Sequence, residues 1–119
     1  MHLTILYVED SQFVAAAVRE TLESEGWRVE TCADGYVAML LIKSDRRYDL
    51  LLLDNELPNV NGLELARRAR ELPHRKQTPI IMLSASECVR EALLAGANLF
   101  LRKPQDIGKV VETVARLLS

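Results

Sequence analysis

The sequence predicts an α/β protein with a doubly wound, five-stranded parallel sheet in the order 2-1-3-4-5. Three observations carry this. Short β-rich apolar runs alternate five times with segments of helical period. The connections are short, so successive strands join by right-handed crossovers through a helix. Leu50-Leu51-Leu52-Leu53 and Pro79-Ile80-Ile81-Met82-Leu83 are continuously apolar, as strands covered on both faces must be.

Taken in order, Leu3-Thr4-Ile5-Leu6-Tyr7-Val8 is the first strand, followed after a polar break by a helix from about Gln12 to Ser24. Its inward face uses Val14, Val18 and Leu22, four apart, and Gly26 stands at a helix C-cap. Arg28-Val29-Glu30-Thr31-Cys32 alternates as a half-exposed strand does, and Asp34 can cap a helix running to about Ser44. The leucine run is the third strand. Asn59 and Asn61-Gly62 mark a loop before a helix of Leu63, Leu65, Ala66, Ala69 and Leu72. The fourth strand precedes a helix with Val89, Ala92, Leu93 and Leu94 that ends at Gly96. Leu99-Phe100-Leu101 is the fifth strand, and Ile107, Val110, Val111, Val114, Leu117 and Leu118 form one stripe of the last helix. The arrangement is a flavodoxin-like (βα)5 unit, and residues 1–119 read as one domain with no linker or repeat.

Composition narrows the function classes. Hydrophobic residues at 49% and charged residues at 27% suit a globular core and exclude extended disorder. A formal charge of -2 with interspersed signs offers no nucleic-acid or membrane surface. No apolar run approaches the ~20 residues of a membrane span, and no secretory leader pattern is seen. Cys32 and Cys88 lack metal-ligand spacing and read as buried or half-buried thiols of a reducing compartment, so the cytoplasm is expected.

The candidate site lies where strands end, since open α/β sheets bind ligands at the carboxyl ends near the switch point between strands 1 and 3. Glu9 and Asp10 follow the first strand and Asp54 ends the third; Ser84 follows the fourth and Lys103-Pro104 the fifth. Singly, each has an ordinary structural use, as a helix cap, a turn residue or a solvated charge. Together they bring three carboxylates, a hydroxyl and an ammonium to one rim. Crowded carboxylates repel unless a cation compensates, and Mg²⁺ suits oxygen ligands that also receive phosphate. Asp54 can then act as ligand and as a nucleophile forming an acyl phosphate, with Lys103 and Ser84 neutralising and hydrogen-bonding the phosphoryl oxygens.

Val8-Glu9-Asp10-Ser11, Leu53-Asp54-Asn55-Glu56-Leu57-Pro58, Asn61-Gly62, Leu83-Ser84-Ala85, Ala95-Gly96-Ala97 and Lys103-Pro104 form an ordered set that resembles the motifs of response-regulator receiver domains, the chemotaxis regulators among them. The resemblance implies a phosphorylation switch of a two-component system or phosphorelay rather than an enzyme in the ordinary sense. Its donor would be a sensor histidine kinase or a histidine phosphotransfer protein, and Asp54 the acceptor. It further implies Mg²⁺ held by Asp10, Asp54 and the Glu56 backbone carbonyl, with Glu9 acting through water, and slow hydrolysis of the aspartyl phosphate. Lys103-Pro104 resembles the family's cis peptide, and Phe100 the aromatic ring that moves inward as Ser84 shifts toward the phosphate. The output partner is an unidentified downstream protein or a covalently linked domain, and the isolated domain is expected to be mainly monomeric.

The chain departs from the family in three places. The acid pair is Glu-Asp where Asp-Asp is also common. The segment between Ser84 and Ala95 is shorter than usual, which predicts a short fourth helix or a tight loop leading into it. Gln105 follows Pro104 in place of the frequent phenylalanine. A phosphatase resembling the haloacid dehalogenases would need its nucleophile on the first strand in an Asp-x-Asp pattern and a cap domain, and neither is seen. A nucleotide or flavin module lacks its glycine-rich first turn, and the complete acidic set argues against a passive interaction domain. Trp27 reads as a partly buried packing residue away from the site, and His2 and His74 as surface histidines. The run Arg67-Arg68-Ala69-Arg70, with Arg75 and Lys76 beyond, reads as a solvated helix face and its trailing loop.

Overall fold

The five apolar runs form five parallel strands in a computed structural model that describes residues 2–119. They are β1 (Thr4–Val8), β2 (Arg28–Cys32), β3 (Leu50–Asp54), β4 (Ile80–Ser84) and β5 (Leu99–Arg102), ordered β2-β1-β3-β4-β5. Between and after them run α1 (Gln12–Glu23), α2 (Gly35–Lys43), α3 (Gly62–Glu71), α4 (Val89–Ala95) and α5 (Val110–Leu118). The predicted sheet order is therefore the observed one.

Alternation of side chains along each strand divides the core into two layers. Ile5, Tyr7, Leu50, Leu52, Ile81 and Leu83 point to one face, where Val18 and Leu22 of α1 and Val110 and Val114 of α5 cover them. Leu6, Val8, Leu51, Leu53, Ile80 and Met82 point to the other, under Ala38 and Ile42 of α2, Leu65 and Ala69 of α3, and Ala92 of α4. Every residue of β3 and β4 is buried, which accounts for their lack of alternation. Each buried leucine there contributes about 1.5–3 kcal/mol over an exposed one.

Short polar side chains start the helices. Ser11 accepts from the Val14 amide, Asp34 from Tyr36 and Val37, and Asn61 from Glu64. α4 is only seven residues long and stops at Gly96, which is left-handed at φ 112°. Several boundaries differ from expectation: β1 starts at Thr4, not Leu3, and β4 runs Ile80–Ser84, not Pro79–Leu83, so Ser84 ends the strand instead of following it. α1 stops at Glu23 with Ser24 as its cap, so left-handed Gly26 (φ 90°) lies in the turn two residues beyond. β5 takes in Arg102, and the final stripe begins in a separate 3-10 turn, Ile107–Lys109.

The arginine stretch is corrected in part. Arg67 and Arg68 are exposed and pair with Glu64 and Glu71. Arg70 is half-buried, and donates to the carbonyls of Gly96 (3.0 Å), Arg75 (3.1 Å), Lys76 (3.2 Å) and Thr78 (2.8 Å) and to Asn98 Oδ1 (3.0 Å). Arg75 is only 2% exposed. It donates to the carbonyls of Ile42 (2.9 Å), Ser44 (3.0 Å) and Leu41 (3.4 Å), with its guanidinium 4.8 Å from the Tyr48 ring centroid. Helix ends leave carbonyls without partners, and one guanidinium fork can satisfy several. Cys32 and Cys88 are free and buried, and Trp27 is half-buried against the α1/α5 layer. Among the described residues no helix is long and apolar enough to cross a membrane.

Candidate functional site

Asp54 and Ser84 are the last residues of β3 and β4, while Glu9 and Asp10 follow β1 directly and Lys103 follows β5. The parallel register sets these ends level: Val8 lies beside Leu53, Asp54 beside Leu83, and Ser84 beside Arg102.

Lys103 binds the acids together. Its Nζ lies 2.9 Å from Asp54 Oδ2 and 3.0 Å from Glu9 Oε1. Asp54 is fully buried and Glu9 is 2% exposed, whereas Asp10 is exposed. Glu9 also accepts from the Tyr7 hydroxyl (3.4 Å) and the Ser11 amide (3.2 Å), and Asp54 Oδ1 from the Glu56 amide (3.1 Å). Burial pushes the Asp54 carboxyl up to about 7; the Lys103 hydrogen bond works against this and Glu9 adds to it. Burial works to lower Lys103, but its hydrogen bonds to Asp54 and Glu9 prevail and hold it above its ordinary value. Burial, then the Glu9 carboxylate, push the Tyr7 hydroxyl far above its usual range.

Glu9, Asp10 and Asp54 each offer a carboxylate oxygen, all within 4.8 Å of one another. Three carboxylates against one ammonium leave two negative charges in excess when all are ionised. An all-oxygen donor set with that surplus fits a hard divalent cation such as Mg²⁺.

The loop after β3 carries Asp54's surroundings. The Asn55 amide donates to the Leu83 carbonyl (2.8 Å) and its side-chain Oδ1 accepts from the Leu63 amide (3.0 Å). Gly62 lies beneath this loop: a Cβ there would sit 2.6 Å from the Asp54 carbonyl oxygen and 2.8 Å from Met82 Sδ. Only glycine permits that approach.

Ser84 is fully buried, and its hydroxyl donates to Glu56 Oε2 at 2.5 Å. The Ala85 amide donates to Glu56 Oε1 (2.8 Å) and the Ser86 hydroxyl to Oε2 (3.4 Å). Cys88 Sγ is 3.5 Å from Ser84 Oγ, and the Lys103 amide donates to the Ser84 carbonyl (3.0 Å). Phe100 is half-buried against the α2–α4 layer, with the Arg102 guanidinium 5.8 Å from its ring centroid. The Lys103–Pro104 peptide is cis, and Pro104 is exposed.

Glu9, Asp10, Asp54 and Lys103 thus converge, Ser84 and Glu56 adjoin them, and Phe100 and Pro104 lie outside the polar cluster. Reading the sequence missed three groups. Tyr7 stands two residues before Glu9, on the same strand face, which is the signal that could have found it. Cys88 reaches Ser84 across a loop and leaves no local pattern. The Glu56 side chain, as distinct from its carbonyl, was signalled only by a carboxylate two residues after Asp54.

Comparison with known proteins bears on this rim. The family model described as "Response regulator receiver domain" matches residues 5–115. The chain is 39% identical over 118 residues to the phosphate regulon transcriptional regulatory protein PhoB of Rhizobium meliloti, covering 96% of this chain and 51% of that protein. It is 36% identical over 121 residues to the response regulator MprA of Mycobacterium tuberculosis, covering 99% and 51%. It therefore spans about half the length of the curated relatives it matches. Among solved structures it is similar to the chemotaxis response regulator CheY4 of Vibrio cholerae, with 31% identity, a TM-score of 0.90 and coverage of 99% and 100%. It is also similar to the receiver domain of the sensor histidine kinase PA1611 of Pseudomonas aeruginosa, with 32% identity, a TM-score of 0.87 and coverage of 99% and 98%. That structure holds a magnesium ion coordinated in its active site cleft.

Proposed function

This chain belongs to the response regulator receiver domain family of two-component signalling, and on that premise we propose that it is a phosphorylation switch whose acceptor is Asp54. The observation that carries the reading is the placement of Asp54. Its carboxylate is fully buried at the end of β3, 2.9 Å from an ammonium and beside two further acids.

A carboxylate oxygen of Asp54 attacks the phosphorus of the donor. The new O–P bond forms as the P–N bond of a phosphohistidine, or the P–O bond of acetyl phosphate, breaks, and the leaving group keeps the electron pair. Lys103 sets a positive charge beside the transferring oxygens, and Ser84 supplies a hydroxyl donor to one of them. Mg²⁺ would be held by Asp10, Asp54 and the Glu56 carbonyl, with Glu9 acting through water, and would supply the remaining positive charge. Hydrolysis reverses the state: water attacks phosphorus, the O–P bond to Asp54 breaks, and inorganic phosphate leaves with the carboxylate restored. Phe100 follows Ser84 inward and changes the α4–β5–α5 face, which a downstream protein or a linked output domain reads.

The whole chain, 1–119, serves as this one domain, in the cytoplasm, with a sensor histidine kinase or a histidine phosphotransfer protein as donor. It makes no direct contact with nucleic acid or membrane, and alone it is mainly monomeric. Incubation with acetyl phosphate and Mg²⁺ is expected to add one hydroxylamine-labile phosphoryl group by intact mass. Persistence of the same labile adduct in Asp54→Asn removes the assignment.

A further inference from the structure

Nothing in the transfer chemistry above uses the Glu56 side chain, yet it is among the best hydrogen-bonded acids at the rim. Its two oxygens accept from the Ser84 hydroxyl (2.5 Å), the Ala85 amide (2.8 Å) and the Ser86 hydroxyl (3.4 Å). Three donors from one segment, converging on two anionic oxygens, make an anion seat. We propose that the Glu56 carboxylate is a built-in placeholder in this seat, and that it must swing out before the Ser84 hydroxyl and Ala85 amide can receive oxygens of a phosphoryl group on Asp54.

The exclusion follows from proton counting. The Ser84 hydroxyl has one hydrogen to donate, and so has the Ala85 amide. The Ser84 oxygen itself already accepts from the Ser86 amide (3.0 Å), so its proton is what engages Glu56. A phosphoryl oxygen at the same donors and the Glu56 carboxylate cannot be satisfied together. The seat is next to the acceptor: Asp54 pairs with Leu83 in the sheet register, and the Glu56 amide itself donates to Asp54 Oδ1 at 3.1 Å. Glu56 is exposed where Ser84 is fully buried. The placeholder can therefore leave for water without uncovering core, while the donors it releases stay fixed. Glu56 thereby sets how readily the switch takes a phosphoryl group, and holds Ser84 engaged while it has none.

This inference rests on Asp54 being the acceptor, and the experiment separates the two. Beryllofluoride with Mg²⁺ is titrated into the full chain and followed at the Ala85 and Ser86 amides by NMR, and acetyl phosphate dependence is followed by intact mass. Glu56→Ala empties the seat. Glu56→Asp keeps the charge but is one methylene too short to bridge Ser84 and Ala85. Both are expected to bind beryllofluoride roughly tenfold tighter than wild type, the scale of one charge-assisted hydrogen bond. The acetyl phosphate concentration that gives half the maximal phosphorylation rate should fall by a similar factor. In the unphosphorylated variants the Ala85 amide proton should lose the downfield shift that a charged acceptor gives. Glu87→Gln, which removes an exposed carboxylate of the same loop, should behave as wild type. If Glu56→Asp instead matches wild type while Glu56→Ala and Glu87→Gln both bind tighter, the effect is general charge repulsion and the placeholder is overturned. A normal adduct on Asp54 with affinity unchanged in every variant also overturns it alone. Absence of any adduct in wild type overturns the acceptor reading, and the placeholder with it.

Discussion

Replacing Asp54 by asparagine is expected to stabilise the protein in EDTA at neutral pH, although it removes the proposed acceptor. Burial, opposed by Lys103 and reinforced by Glu9, pushes the Asp54 carboxyl from 3.8 up to about 7. Between those values the folded state holds a proton that the unfolded chain has released. A raised folded value means stability that is complete below the unfolded value and is lost as pH rises through the folded one. At ~1.36 kcal/mol per pH unit the ceiling of that loss is about 4 kcal/mol. Asparagine escapes it but gives up the 2.9 Å ion pair, leaving Lys103 with Glu9 at 3.0 Å. The raised value already contains the Lys103 attraction, so the gain rises toward that ceiling above neutral pH and vanishes toward pH ~4. Urea unfolding of both proteins in EDTA, across that pH range, measures it. Excess Mg²⁺ should then narrow the difference, since a cation at about 100 times its dissociation constant adds ~2.7 kcal/mol to a protein that binds it. A variant no more stable than wild type at any pH, or a gain independent of pH, would refute the reasoning.

Four further outcomes are expected. Mg²⁺ titrations followed by NMR should show a larger affinity loss for Asp10→Asn than for Glu9→Gln, because Lys103, Tyr7 and Ser11 already engage Glu9; equal or reversed losses contradict this. Arg75→Ala should lower stability to urea by about 3 kcal/mol, and Arg75→Lys should recover little of it, since one ammonium nitrogen cannot span carbonyls that Nε (Ile42) and Nη2 (Ser44, Leu41) engage separately. Gly62→Ala should cost ~1–3 kcal/mol and displace the Asn55 and Glu56 amide resonances, because its Cβ meets the Asp54 carbonyl; an unperturbed loop argues against that close approach. Sedimentation velocity should show a monomer with and without beryllofluoride, whereas a mimic-dependent dimer at micromolar concentration, broken by charge reversal at Arg90 or Arg102, would overturn this expectation.

The sheet was legible because its signals are local. A run such as Leu50–Leu53 has no solvent face to spare, and a strand buried on both faces is the one place in this fold that needs it. The rim was legible for a related reason: once strand ends are assigned, the residues that follow them must share one edge, and Glu9, Asp10, Asp54 and Lys103 do. The short α4 follows from the few residues between Ser84 and Gly96. Arg70 and Arg75 read as solvated charge because what recruits them is non-local. Their partners are carbonyls at the ends of other elements, and nothing near an arginine in sequence says which carbonyls the fold leaves unpaired. The Glu56 side chain escaped for the same reason, its donors lying 28 to 30 residues away.

Arg70 gives the molecule a mechanical polarity. Its guanidinium ties the Gly96 carbonyl and Asn98, just before β5, to the Thr78 carbonyl, just before β4, and Asn98 Oδ1 in turn accepts from the Ile80 amide (2.8 Å). Both strands are thus pinned where they enter the sheet, at the pole opposite the acids. At their exits, Ser84 and Lys103 meet groups that can exchange partners. On the switch reading proposed above, a displacement of Ser84 would therefore fall off along β4 toward its clamped entry. Hydrogen exchange should register the gradient directly, slowest at Ile80 and fastest toward Ala85, steep enough to be lost when Arg70 is removed.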